Sequence, residues 1–195
     1  WPIFMTQTLR PDAAAVVADL KAMGLPVVIL SGDHSEAVSA VAVHLGISQW
    51  HAGLSPVEKL THLQALRAQG HRVLMVGDGI NDAPALASAS VSISPASGAD
   101  VTQAAADLVF MGDRLQPVIE ALRLCRKGRR VMFENFMLAL VYNLLAVPLA
   151  VAGMVTPLIA AAAMSGSSVL VAVNALRAGR SESLPTGKPV QKEPV

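Results

Sequence analysis

Over residues 11–115, short aliphatic runs alternate with segments of helical spacing, several of which end at a glycine. The spacing predicts helices over 12–23, 35–45 and 56–69, and strands over 27–30, 73–76, 91–93 and 108–110. This alternation is typical of βαβ units built around a parallel sheet. We therefore predict an α/β domain over residues 1–118.

Two long apolar stretches follow this domain, 135–155 and 157–176, and neither contains Asp, Glu, Lys, Arg or His. Each has about the ~20 residues that a helix needs to cross a bilayer. Basic residues flank the pair on both outer sides, whereas the connection at Thr156 has none, a pattern that places both ends in the cytoplasm. A buried helical hairpin in a soluble core is the alternative. The predicted order is a linker helix over 119–134, membrane helices over 135–155 and 157–176, and a disordered cytoplasmic tail over 177–195. We therefore predict a multi-pass protein of the cell (inner) membrane.

The composition supports the membrane interpretation, since 53% of the residues are hydrophobic and only 15% are charged. Fifteen basic against 14 acidic side chains give a net charge of +1, so no binding of nucleic acid is expected. The single cysteine, Cys125, excludes an internal disulfide and a cysteine-only metal cage. The chain does not begin with Met and opens on a strand-like segment at 1–4, so we expect it to be a piece of a longer protein.

One ten-residue string, GDGINDAPAL at 77–86, follows the predicted strand 73–76. Ligands of open α/β sheets bind at the carboxyl ends of strands. The glycines on both sides of Asp78 let the backbone turn sharply, so Asp78 and Asp82 can converge as oxygen ligands for one Mg²⁺. In isolation, an Asp-Gly pair after a strand is more often a plain turn.

The complete string resembles the hinge motif of the P-type ATPases, members of the haloacid dehalogenase-like superfamily, in which two aspartates hold Mg²⁺ during phosphoryl transfer. The resemblance implies that the first domain is part of a phosphorylation domain. It also implies that Ser31 and Gly32, in the string LSGD, bind the phosphoryl oxygens, and that Lys59, in SPVEK, neutralises phosphate charge. Taken alone, Ser31 would more often cap a helix and Lys59 would more often lie solvated on the surface.

The string RPDA at 10–13 also resembles a segment that precedes these motifs in the family, although Gln7 stands where that segment usually carries Asp. The phosphoryl acceptor of the family lies in an Asp-Lys-Thr-Gly-Thr string, which this sequence lacks. The resemblance therefore implies part of an ATP-driven cation transporter that works through an aspartyl phosphate formed outside this chain. Mg²⁺ and ATP are the implied cofactors. The implied partners are the nucleotide-binding domain, the actuator domain and earlier membrane segments of the pump, and we expect the chain alone to be inactive.

Polar side chains within the predicted membrane helices are candidates for an ion path. Met164 and Ser168 lie four residues apart and so on one helical face, and a thioether favours a soft monovalent ion such as Cu(I). More often, Ser and Asn tie membrane helices together and Met fills space.

Together with Tyr142 and Asn143, these residues resemble the last two helices of Cu(I)-exporting ATPases, most of all the copper pumps that serve cytochrome oxidase assembly. Zinc-type relatives rely on a membrane carboxylate, and residues 135–176 contain none. The resemblance implies Cu(I) as the transported ion, with Tyr142, Asn143, Met164 and Ser168 as its ligands. Membrane lipid and a copper chaperone are further candidate partners. Two competing hypotheses are a membrane-tethered phosphatase of the same superfamily and an inactive remnant of a truncated pump.

Overall fold

The computed structural model describes residues 9–98 and 100–179, with backbone only for 178 and 179. The chain divides into two compact units, residues 1–120 and 121–195. Gln7, the strand-like segment at 1–4 and most of the predicted tail over 177–195 lie outside the described residues, whereas residues 177–179 of that tail are helical and not disordered. The predicted domain boundary at 118 lies close to the division between the units.

Short helices and strands alternate through the first unit. Its elements are α1 Ala13–Ala22, β1 Val28–Leu30, α2 Ser35–His44, β2 Gln49–His51, α3 Pro56–Ala68, β3 Leu74–Val76, a 3-10 turn Ile80–Asp82, α4 Ala83–Ser88, β4 Val91–Pro95, α5 Asp100–Ala105 and β5 Leu108–Phe110. Three of these elements, β2, α4 and α5, were not predicted. Helices α4 and α5 have only six residues each, too few to show a helical period, and β2, Gln49–His51, lacks the aliphatic run that marks the other strands.

All strand pairs in the described residues are parallel, which confirms the predicted α/β class. Strand β1 pairs with β2, with Val28 opposite Gln49. Strand β4 lies between β3 and β5, with Leu74 opposite Val91 and Ile93 opposite Leu108. The carboxyl ends of the paired strands therefore lie at a common edge in each group, where the predicted functional residues are found.

A small apolar cluster fixes the segment that follows β3. Leu63 of α3, Met75 of β3, and Ala85 and Leu86 of α4 are buried together. Full burial of a side chain such as Leu63 or Leu86 contributes about 1.5–3 kcal/mol. This cluster holds α3 and α4 against β3 and so sets the position of the turn between β3 and α4.

Two long apolar helices follow, α6 Gln116–Val151 and α7 Pro157–Gly179. Both are long and apolar enough to cross a membrane. The predicted linker helix over 119–134 and the first part of the predicted membrane span form one continuous helix. That helix also ends at Val151 rather than at residue 155.

Local signals explain the ends of these two helices. Gly153 adopts a φ of 73°, in the left-handed region that glycine tolerates, and the Met154 N–H donates back to the Leu149 carbonyl at 3.1 Å. A left-handed glycine and a backward N–H bond of this kind are typical of a helix C-terminus, and here they end α6. Thr156 accepts from the Ile159 N–H at 3.3 Å, and Pro157 is the first helical residue, so α7 begins with a hydroxyl cap and a proline.

Candidate functional site

The turn after β3 carries both predicted magnesium ligands. The Asp82 N–H donates to the Gly79 carbonyl at 2.9 Å, which closes the 3-10 turn. A Cβ placed on Gly77 would lie 3.0 Å from the Asp82 Cβ and 3.1 Å from its Oδ2. The Asp82 side chain therefore packs against the backbone that carries Asp78, and the absence of a side chain at Gly77 makes room for it.

Lys59 is paired with one of these aspartates. Its Nζ lies 2.7 Å from Asp82 Oδ1, and the two side chains are only 11% and 15% exposed. Lys59 is therefore not a solvated surface lysine. It supplies a fixed positive charge beside the turn.

The start of α3 holds Lys59 in place. The Ser55 N–H donates to Glu58 Oε2 at 2.8 Å, and the Glu58 N–H donates to Ser55 Oγ at 3.3 Å, which is a capping box. Hydrogen bonds from the Ser55 backbone, then from its hydroxyl, lower the pKa of the Glu58 carboxyl, with a smaller contribution from His62. Lys59 follows directly on this capped turn.

Ser31 lies at the carboxyl end of β1. Its N–H donates to the His51 carbonyl at 2.9 Å, and its Oγ accepts from the Asp33 N–H at 3.1 Å. The residue before α2 is His34, so Ser31 does not cap that helix. A Cβ on Gly32 would lie 3.2 Å from the Leu54 carbonyl oxygen, so the loop after β1 packs closely on the loop after β2.

The sequence did not predict two residues that contact the backbone of the Asp78 segment. Thr102 of α5 is fully buried and donates its hydroxyl to the Gly79 carbonyl at 2.8 Å. A Cβ on Gly98 would lie 3.1 Å from the Asp78 carbonyl oxygen. Since α5 was not predicted and Thr102 is 23 residues from its partner, no local pattern could have revealed this contact.

The RPDA string contacts both the aspartate turn and the start of α6. Arg10 Nη2 lies 3.7 Å from Asp78 Oδ2, and its guanidinium carbon lies 5.8 Å from the centroid of the Phe110 ring. Asp12 Oδ2 accepts from the N–H of Gln116, the first residue of α6, at 2.8 Å. The family resemblance singled out this segment, but only the structure shows what it contacts.

The residues present fit a magnesium ion. Mg²⁺ is usually held by one or two carboxylates together with phosphate oxygens and water. Asp78 is 65% exposed at the side chain and open to a ligand, whereas Asp82 is held by Lys59 through only one of its two oxygens. Within residues 9–98 and 100–179, no group of three or more His, Cys, Asp and Glu side chains forms a protein-only cage.

The helical hairpin brings three of the four predicted ion ligands to one groove. A groove of about 650 Å³ between α6 and α7 is lined in part by Tyr142, Asn143 and Ser168, whereas Met164 is not among the described residues that line it. Asn143 donates to the Ala139 carbonyl at 2.9 Å and Ser168 donates to the Met164 carbonyl at 3.1 Å. Both side chains therefore bond back to their own helix.

A polar contact also joins the two helices. Asn174 Nδ2 donates to Asn135 Oδ1 at 2.8 Å, and Arg177 Nη1 donates to Asn174 Oδ1 at 3.0 Å. Interhelical hydrogen bonds of this kind fix the register of apolar helices. In the sequence, Asn135 is the first residue of the predicted membrane helix 135–155, and nothing in the local pattern predicts this contact.

Residues 2–90 match the family of haloacid dehalogenase-like hydrolases. The nitrogen fixation protein FixI of Bradyrhizobium diazoefficiens is 55% identical over 181 residues, which make up 93% of this chain and 25% of FixI. A Mycobacterium tuberculosis protein named "Probable copper-exporting P-type ATPase V" is 42% identical over 176 residues, 90% of this chain and 23% of that protein.

The crystal structure of a zinc-transporting PIB-type ATPase in the E2.Pi state superposes with a TM-score of 0.85 at 36% identity, covering 90% of this chain and 29% of that one. The chain thus spans about a quarter of the length of the relatives it matches. The matched regions extend from the aspartate turn through the apolar helices. Sequence and fold both bear out the resemblance of this chain to P-type ATPases of the heavy-metal type, of whose length it spans about a quarter.

Proposed function

We propose that the chain is part of an ATP-driven heavy-metal cation transporter that works through an aspartyl phosphate and moves Cu(I). The acceptor aspartate, the nucleotide-binding domain and the actuator domain belong to the remainder of the pump. The observation that carries the proposal is the nearly buried pair of Lys59 and Asp82 beside the exposed Asp78, at the carboxyl end of a parallel strand.

Each residue of the turn has a distinct role in this proposal. Lys59 supplies a positive charge that does not reorganise during transfer, because its own Nζ is held by Asp82. Asp82 is oriented by that contact and by its packing on Gly77, while Asp78 faces solvent and the incoming phosphoryl group. Mg²⁺, when bound by the two carboxylates, shields the charge on the transferring phosphoryl oxygens. Ser31 and Gly32 are proposed to bind phosphoryl oxygens at the neighbouring strand end.

The choice of Cu(I) rests on the apolar helices. Residues 135–176 contain no charged side chain, so a divalent hard ion would lack a compensating carboxylate there. The similarity to a zinc-transporting structure favours Zn²⁺, and the similarity to a copper-exporting relative favours Cu(I). The lack of a carboxylate supports Cu(I), and we further propose the subtype that serves cytochrome oxidase assembly. In that pump α6 and α7 cross the cell membrane with both ends cytoplasmic, in contact with lipid, and a copper chaperone delivers the ion.

The aspartate role is tested by Asp78→Asn in the full-length pump, which keeps the volume of the side chain and removes its charge. We expect no phosphoenzyme from ATP in the presence of Mg²⁺, measured as acid-stable labelled protein. Asp113→Asn, in the exposed turn before α6, is the matched control and should label normally. Normal Mg²⁺-dependent labelling of Asp78→Asn would contradict the proposed function.

A further inference from the structure

Arg10 is held in place beside the aspartate turn. Its side chain is 25% exposed, its Nη2 lies 3.7 Å from Asp78 Oδ2, and its guanidinium lies over the Phe110 ring. Because Asp78 is 65% exposed, the ion pair itself contributes little to folding stability. The aromatic contact and the ion pair instead fix where the planar guanidinium lies.

The other terminal nitrogen of Arg10 has no acceptor in the described part of the chain. Nη1 is buried, and no hydrogen-bond partner for it exists among residues 9–98 and 100–179. A buried donor without a partner destabilises a protein, and more so when it is charged. Such groups in native structures call for an explanation, and a guanidinium is best satisfied by carboxylate or phosphate oxygens.

Charge balance points to the same kind of ligand. Lys59 and Arg10 are two cations, each beside one of the two aspartates of the turn. These four groups balance, and they stay balanced when Mg²⁺ and a doubly charged phosphoryl group enter together. Without Arg10 the three remaining groups would carry one net negative charge, and the site with Mg²⁺ and the phosphoryl group bound would no longer be neutral.

We propose that Arg10 is a further phosphate-binding residue of the site, with Nη2 lying beside Asp78 and Nη1 donating to an oxygen of the transferring phosphoryl group. The inference rests on the proposed function, since it takes the turn after β3 to be the phosphoryl-transfer site. Lys59 and Arg10 then act as two fixed cations that reach the turn from different segments, the first from α3 and the second from the residues preceding α1.

The test uses the full-length pump with inorganic phosphate and Mg²⁺ as probes. Hydrogen bonds to charged groups contribute about 1.5–3 kcal/mol, so Arg10→Met should raise the phosphate concentration for half-maximal phosphorylation by about tenfold or more. Arg10→Lys keeps the charge but lacks the planar set of N–H donors of a guanidinium, so it should restore only part of the affinity for phosphate. The matched control is Arg67→Met, since Arg67 Nη1 donates to the Ser88 carbonyl on the surface of the same unit.

A second readout does not depend on turnover. Beryllium fluoride with Mg²⁺ should raise the thermal midpoint of the native pump and of Arg67→Met, and should raise that of Arg10→Met much less. A lower midpoint in Arg10→Met with unchanged affinity for phosphate and for beryllium fluoride would assign Arg10 to folding alone and overturn the inference. If Asp78→Asn still abolishes the phosphoenzyme in that case, the proposed function stands while the role of Arg10 does not.

Discussion

At the scale of single residues, exposure decides what each ion pair does. Lys59 and Asp82 are 11% and 15% exposed, whereas Arg130 and Glu134 of α6 are 82% and 37% exposed at 3.1 Å. Removal of one partner from a buried pair destabilises a protein by about 3–5 kcal/mol, whereas an exposed pair contributes about 0–1 kcal/mol. Lys59 therefore holds Asp82 in a fixed position, which the exposed pair on α6 does not do for its carboxylate.

The two glycines that flank Asp78 differ in the space around them. A Cβ on Gly77 would lie 3.0 Å from the Asp82 Cβ, and a Cβ on Gly79 would lie 3.5 Å from Asp82 Oδ2, an ordinary contact. We expect Gly77→Ala to displace Asp82 and to lower the rate of phosphoenzyme formation about a hundredfold, since small misplacements at a reacting centre have effects of that size. Rapid-quench labelling of the full-length pump measures this rate.

Gly79→Ala is the matched control for this prediction and should phosphorylate at close to the native rate. Gly79 has an extended backbone, with φ −93° and ψ 149°. Alanine adopts this conformation without strain. Equal rates in the two variants would show that the packing of Asp82 on Gly77 does not matter.

At the scale of elements, the ends of the helices are set by different kinds of contact. Helix α3 begins with the local capping box of Ser55 and Glu58, whereas the first N–H of α6 is satisfied by Asp12, 104 residues earlier in the chain. The first contact can be predicted from adjacent residues, and the second cannot. Both contacts satisfy a backbone N–H in the first turn of a helix.

The capping box makes the stability of α3 depend on pH. Because the pKa of Glu58 is lowered in the folded chain, its contribution is fully present above the ordinary glutamate pKa and is lost as the pH falls through the lowered value. We expect Ser55→Ala to lower the thermal midpoint at neutral pH, and we expect the difference from the native protein to shrink on acidification. Thermal unfolding of the full-length pump at a series of pH values measures both effects.

Thr61→Ala serves as the control for this prediction. The Thr61 hydroxyl donates to the Val57 carbonyl within the same helix, so its removal tests a hydroxyl that is not linked to a carboxylate. Its effect on the midpoint should not change as Glu58 is protonated. A difference between Ser55→Ala and the native protein that is constant with pH would exclude the link to Glu58.

At the scale of the whole molecule, the proposed ion path needs more than the hairpin. Tyr142, Asn143 and Ser168 share one groove, but Asn143 and Ser168 bond back to their own helices. Met164 is 71% exposed within this chain. The proposed soft site at the Met164 thioether would therefore need further ligands from other membrane segments of the proposed pump.

We expect Met164→Leu in the full-length pump to reduce Cu(I)-stimulated ATP hydrolysis at least about tenfold while the protein still folds, because the substitution keeps volume and removes the soft ligand. Met132→Leu, which changes another exposed methionine outside the charge-free stretch, is the matched control. ATP hydrolysis measured against Cu(I) and Zn²⁺ checks the result. An unchanged Cu(I) response in Met164→Leu, or a native pump stimulated more by Zn²⁺ than by Cu(I), would overturn the copper assignment.

The sequence by itself determined the parallel α/β class, the aspartate turn and the two apolar helices. Each of these is written in adjacent residues, as a hydrophobic period, a glycine-aspartate string or a charge-free stretch. Only the tertiary structure decided that Lys59 holds Asp82, that Thr102 holds the Gly79 carbonyl and that Arg10 lies beside Asp78. These contacts join residues far apart in the chain, and their geometry follows from how short strands and helices pack on one another, which no local pattern encodes.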